Sequence, residues 1–128
     1  MNMAINILLS SKLITKCSLM RARNIKPAFF KDEKLLKCSL PARMLFAGLW
    51  CYSDREGRFV WNPFEIKINI FPVDHYNIDE LLNELVIAKL VKSYGMNGKL
   101  YGCIPNFLKH QNPHPHESRS KLPECNDM

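Results

Sequence analysis

NPFEIKINIF, residues 62–71, is the stretch on which the fold turns. Phe64, Ile66, Ile68 and Ile70 alternate with Glu65, Lys67 and Asn69, and a period of two favours a β-strand. The first two residues point the other way. Asn62 is a good helix cap, and Pro63 suits a first helical position, where its missing N–H has no partner to lose. Phe64, Ile68 and Phe71 also share one helical face. Periodicity leans to strand, and capping chemistry leans to helix.

The flanks read more clearly. Pro72 stops the segment, VDHY forms a loop, and Asn77-Ile78-Asp79-Glu80 opens a helix in the manner of a capping box. Leu81, Leu82, Leu85, Val86 and Ala88 form its inner face to about residue 89. KLVKSYG and KLYGCIP come next, separated by Met96-Asn97-Gly98, and Asn-Gly between apolar stretches signals a hairpin. On the N-terminal side, RFVW at 58–61 reads as a short strand with Phe59 and Trp61 on one side. DREG at 54–57 reads as a turn, with Gly57 free to take positive φ. Before it, Ser39 caps a helix that tolerates Pro41 in its first turn. Ala42, Leu45, Phe46, Leu49 and Trp50 recur at helical spacing and are expected in the core. A short helix, DEKLLKC, is expected at 32–38, with Asp32 and Glu33 suited to its positive end.

From residue 39 the order is helix, short strand, helix, helix, β-hairpin. That is the order of an α+β winged helix-turn-helix, with three to four helices, a small antiparallel sheet and a C-terminal β-hairpin wing. The expected organisation is a poorly ordered upstream extension at 1–19, a basic arm at 20–31, the winged-helix domain at 32–107 and a mobile polar tail at 108–128. The extension lacks a positive charge before its apolar stretch, and Lys12 and Lys16 break up the residues after it, so it is not read as a signal peptide; Met20 is read as the natural start. The tail has three prolines between Phe107 and Met128 in NPHPHESRSKLPECNDM and little apolar surface to offset ordering entropy.

NIKPAFFKDEKL, ARMLFAGLWCYSDREGR, IKINIFPVD and NGKLYGCIPNFLKHQNPH together resemble a phage and prophage replication-protein family. Its members are similar to the N-terminal domain of phage replisome organisers and of DnaD- or DnaT-like primosomal proteins. The resemblance runs from Met20 to His114, and GLWCYSDREGR and FLKHQNPH are its most specific phrases. It implies a winged helix, hence a helix at 62–71, and a role near initiation of phage replication. Longer relatives carry further replication-type segments.

The chain holds 18 Lys and Arg against 12 Asp and Glu, a net charge of +6 over 128 residues, which favours acidic partners such as nucleic acid. Composition is otherwise ordinary, at 47% hydrophobic and 23% charged. No apolar run approaches the ~20 residues of a bilayer span, so no membrane partner is expected. The cysteines, Cys17, Cys38, Cys51, Cys103 and Cys125, are odd in number and widely spaced, without CxxC. This argues against a disulfide framework and a zinc ribbon, and for a reduced, intracellular protein; the phage resemblance implies the cytoplasm of a bacterial host.

The helix at 77–88 is the one that would enter a major groove, yet it carries Asp79, Glu80 and Glu84 and no Lys or Arg. Asn83 could read adenine and Ile87 could meet a thymine methyl, but carboxylates facing phosphates weaken binding. The cations lie elsewhere. The expected DNA-binding residues are Arg21, Arg23 and Lys26 in the arm, Arg58 and Lys67, Asn83, Lys89, Lys92 and Lys99 about the wing, and Lys109, with Arg119 and Lys121 also in the tail. Five such groups on phosphates would give log K a slope of roughly −4 to −5 against log salt.

His110, His114 and His116, with Cys103 or Cys125, lack the spacing of a zinc site, so no metal or other cofactor is expected; His75 reads as a loop residue. No GxSxG, Walker loop or HExxH is present, and Cys51 reads as core, so no enzyme is expected. The leading expectation is a DNA-binding module of phage replication initiation, held to duplex phosphates by wing, arm and tail. Its rivals are a primosome interaction module that docks a helicase loader or another replication protein, and a phage transcription regulator, which requires a dimer and a palindromic site. The sequence leaves the oligomeric state open.

Overall fold

The structure, a computed structural model, describes residues 20–125. The expected upstream extension at 1–19 and the last part of the expected tail, 126–128, lie outside the described residues. A 3₁₀ turn, Pro27–Lys31, precedes α1 (Glu33–Leu36), α2 (Leu40–Tyr52), β1 (Arg58–Val60), α3 (Pro63–Ile70), α4 (Ile78–Ile87), β2 (Lys92–Met96), β3 (Lys99–Cys103) and α5 (Phe107–His110). Five α-helices and one antiparallel sheet of three strands, in the order β1-β3-β2, make the described chain an α+β fold.

Residues 62–71 are helical, and the cap explains why. The Asn62 side chain accepts from the Glu65 N–H at 3.2 Å, and Pro63 occupies the first turn. A strand would put Phe64, Ile66, Ile68 and Ile70 on one face. In α3 the four separate: Ile66 is fully buried and Phe64 is 72% exposed. Ile70 packs where α2 carries Gly48, and a Cβ there would meet the Ile70 side chain at 2.7 Å. The glycine therefore sets how closely α2 and α3 approach.

The α2 face forms the centre of the core. Ala42, Leu45 and Leu49 are fully buried and Phe46 nearly so, while Trp50 is half-buried at the margin. Each fully buried Leu or Phe contributes about 1.5–3 kcal/mol. Against them pack Ile66 and Phe71 of the α3 end, Ile78, Leu81, Leu82 and Leu85 of α4, and Phe59 of β1. Asn77 caps α4 by accepting from the Glu80 N–H at 3.2 Å. Glu84 reaches across to α2: its carboxylate accepts from the Ser39 N–H and Oγ, each at 2.8 Å, while Ser39 Oγ accepts from the Ala42 N–H at 3.3 Å.

The β2–β3 turn is Asn97-Gly98, with φ of 54° and 78°, the paired positive values of a tight two-residue hairpin. In the DREG turn the Asp54 carboxylate accepts from the N–H groups of Glu56 and Arg58 at 2.9 and 3.0 Å. Gly57 has φ +80°, and a Cβ there would lie 2.6 Å from Phe107, so both conformation and space require glycine.

Within the described residues the arm and tail make hydrogen bonds to the domain and to each other. The Arg21 N–H donates to the Cys51 carbonyl at 2.9 Å, and Gln111, buried, exchanges two hydrogen bonds with the Asn24 backbone at 3.0 and 2.8 Å. Residues 107–110 form α5, and the chain beyond it packs on the DREG turn and the sheet. Ser120 Oγ donates to Asp54, the Arg55 guanidinium donates to the Glu117 carbonyl at 3.0 Å, and the Tyr94 hydroxyl donates to the Pro123 carbonyl at 2.7 Å. Polar pairing holds this segment where apolar burial cannot. Among the described residues, no helix is long and apolar enough to cross a membrane.

Candidate nucleic-acid interface

Strand register brings basic side chains from distant parts of the sequence together. Arg58 pairs with Cys103, and Cys103 pairs with Lys92. Val60 pairs with Tyr101, and Tyr101 with Tyr94; Lys99 pairs with Met96. Directly paired residues share a face, and alternate residues along a strand return to it. Phe59, Gly102 and Ser93 therefore share one face, which buried Phe59 turns to the core. Arg58, Lys92, Tyr94, Tyr101 and Lys99 share the outer face. The tyrosine rings lie 5.6 Å apart between the Arg58–Lys92 row and Lys99.

The tail packs on the Arg58–Lys92 end of this face, where Cys103 is buried, and leaves Lys99 exposed at the other end. Arg58 Nη1 donates to the Leu122 carbonyl at 3.2 Å, close to the Tyr94–Pro123 contact. Burial, with the Cys103 and Cys125 thiols nearby, pushes the Tyr94 hydroxyl up to about 12, so it remains a donor at neutral pH. Lys92 is half-buried and Lys99 is exposed at the hairpin end.

The other expected contacts divide. Arg23 is not an available cation. Its side chain is 4% exposed and pairs with Glu117 through both nitrogens at 2.8 and 2.9 Å. Its Nε donates to the Trp50 carbonyl at 3.0 Å, and its guanidinium lies 5.2 Å from the Phe107 ring centre. Arg21 stands 3.9 Å from Glu117. Lys67 Nζ donates to the Phe71 carbonyl at 3.3 Å and closes the end of its own helix. Asn83 is exposed on α4 beside Asp79 and Glu80. Lys26, Lys89 and Lys109 are exposed away from the strand pairs, with Lys26 and Lys89 on one cleft.

Sequence reasoning did not single out Tyr94, Tyr101 or Glu117. The tyrosines were detectable, since each lies two residues from a lysine within a strand pattern, at Lys92 and Lys99. Glu117 carried no local signal. Its carboxyl is held below the usual range, first by the Arg23 hydrogen bonds and then by the charges of Arg23, Arg21 and Arg55, which outweigh its burial. Burial pushes the thiols of Cys38 and Cys51 up, away from reactive thiolate. His114 and His116 lie with ring centres 5.1 Å apart, and the described residues contain no group of three or more potential metal ligands. Comparison with family models, curated proteins and solved structures gave no match.

Proposed function

We propose that this chain is a winged helix-turn-helix DNA-binding module whose sheet edge and hairpin, acting as the wing, hold phosphates. The observation that carries the reading is the register aligning Arg58 and Lys92 across Cys103, with Tyr94, Tyr101 and Lys99 on the same outer face. Cations fix the sugar–phosphate backbone, and tyrosine rings between them offer contact to sugars or to unstacked bases. The order β1-β3-β2 supports the wing assignment: the strand after α2 pairs with the returning strand of the hairpin, as the winged-helix plan requires. α3 and α4 then take the place of the helix-turn-helix.

In this reading α4 is not the main reader of bases. Glu84 is taken up by the start of α2, and Asp79 and Glu80 remain exposed at the N-terminal end, where a groove-reading helix meets bases. The role near phage replication initiation rests on the sequence resemblance. A second reading, docking of a replication protein, is favoured by apolar exposure around the same two helices: Phe64 at 72%, Val73 at 82% and Ile87 at 73%.

Titration of a labelled duplex across salt concentrations separates the two. Phosphate contacts by the sheet cations alone, three in number, give log K a slope of about −3 against log salt. Absence of duplex binding at ~50 mM salt overturns the DNA reading and favours the docking one.

A further inference from the structure

A cleft of about 530 Å³ opens between the arm, α1, the second half of α2 and the segment joining α4 to β2. Its volume falls in the range of about 300–1,000 Å³ typical of small-molecule sites. Phe29, Phe46 and Trp50 supply an aromatic wall; Trp50 meets the other two edge-on, with ring centres at 5.2 and 5.4 Å. Lys26, Lys34 and Lys89 supply three ammonium groups. Among the described residues, none of these three side chains has a hydrogen bond or ion pair.

Two carboxylates share the lining, so the three lysines leave a positive excess of one. Asp32 caps α1, accepting from the Lys34 and Leu35 N–H groups at 2.9 and 3.1 Å, and Glu33 is exposed in the first turn of α1. The Gln111 amide, also on the wall, is taken up by Asn24. The cleft thus offers ring surface and a net positive charge, with the side chains of Asn106 and His110 also on its wall.

Backbone strain gathers at the same place. Three described residues other than glycine have positive φ; Asn97 belongs to the hairpin turn, and the others, Lys89 at 63° and Asn106 at 62°, both line the cleft. Asparagine tolerates this conformation, whereas lysine does so at a cost, and the position just past a helix end is the one glycine ordinarily fills. A lysine held there, with its ammonium unpaired at an aromatic cleft, fits a side chain kept for binding.

We propose that this cleft binds a nucleotide, its base against the Phe29–Phe46–Trp50 wall and its phosphate on Lys26 and Lys89. A planar ring joined to a phosphate matches both kinds of surface on offer. The site is separate from the sheet face and stands whether or not that face binds DNA.

The test is titration of the full chain with dAMP, monitored by Trp fluorescence and by the NMR signal of the Trp50 indole N–H, assigned with Trp50→Phe. The expected result is saturable binding near the millimolar range, with deoxyadenosine, which lacks the phosphate, about tenfold weaker. Lys89→Gly removes the ammonium and relieves the backbone. It is expected to raise the thermal midpoint while weakening dAMP about tenfold, a combination that damage to the fold does not produce. Lys92→Glu with Lys99→Glu should leave dAMP binding unchanged, which keeps failure of the sheet reading distinct. A short oligothymidylate that saturates the same Trp50 signal at lower concentration identifies a nucleotide within a strand; one no tighter than dAMP identifies a free nucleotide. No saturable change at about 10 mM dAMP, or full binding by Lys89→Gly, overturns the proposal.

Discussion

Arg23 and Glu117, 94 positions apart, form a two-point ion pair at 2.8 and 2.9 Å, with side chains 4% and 7% exposed. It joins the arm to the tail and ties both to the end of α2, where Arg23 also meets the Trp50 and Ser53 carbonyls. Removing one member leaves the other buried without its partner. Arg23→Ala is expected to cost about 3 kcal/mol in chemical denaturation. A loss under ~0.5 kcal/mol would mean that the pair does not hold the tail.

The same pair sets an acid limit. The Glu117 carboxyl is lowered in the folded chain, so the folded state favours the carboxylate. Its contribution is complete above the ordinary value of 4.5 and is lost as pH falls below that toward the lowered folded value. Glu117→Gln should flatten the stability profile over this acid window and lower stability at neutral pH. An unchanged acid profile would contradict the assignment.

Tyr94 sets the alkaline limit. Its hydroxyl titrates near 10 when free and at about 12 here. The folded state favours the neutral phenol, so its contribution is complete below pH 10 and is lost as pH rises from about 10 to 12. Tyrosinate absorbance should include a component titrating at about 12, and Tyr94→Phe should remove it. That variant also loses the bond to the Pro123 carbonyl, at a cost of about 1 kcal/mol.

Glu84 serves stability rather than recognition in this account. Glu84→Ala frees the Ser39 N–H and hydroxyl and is expected to cost about 1–2 kcal/mol. Duplex affinity should stay level or rise, because a carboxylate leaves α4. A marked loss of affinity in a folded Glu84→Ala protein would make α4 the reading element after all.

Much of this fold could be read locally. The α2 core positions, the Asn77 start of α4 and the Asn97-Gly98 turn can each be inferred from a few neighbouring residues. Segment 62–71 needed more, because its apolar alternation conflicts with its cap; the Asn62–Glu65 bond decides in favour of helix. The tail could not be read this way. Its anchors join partners 60 or more positions apart in Arg55–Pro115 and 94 apart in Arg23–Glu117, and such polar pairs leave no period in the sequence. For the same reason Arg23 reads as a free cation of the arm until its partner is known, and Lys67 until its helix end is seen. Lys92 and Lys99 were legible as hairpin cations. Their alignment with Arg58 depends on β1 pairing with β3, a contact no local pattern announces.

The central claim is that the outer face of the sheet holds nucleic-acid phosphates, and the most direct measurement is the salt dependence of duplex binding by the wild type and by Lys92→Glu with Lys99→Glu. The account predicts that loss of these two of three sheet cations makes the slope of log K against log salt shallower by about 2, and that the affinity of the folded double variant falls steeply at low salt. An unchanged slope and affinity in the folded double variant would contradict it.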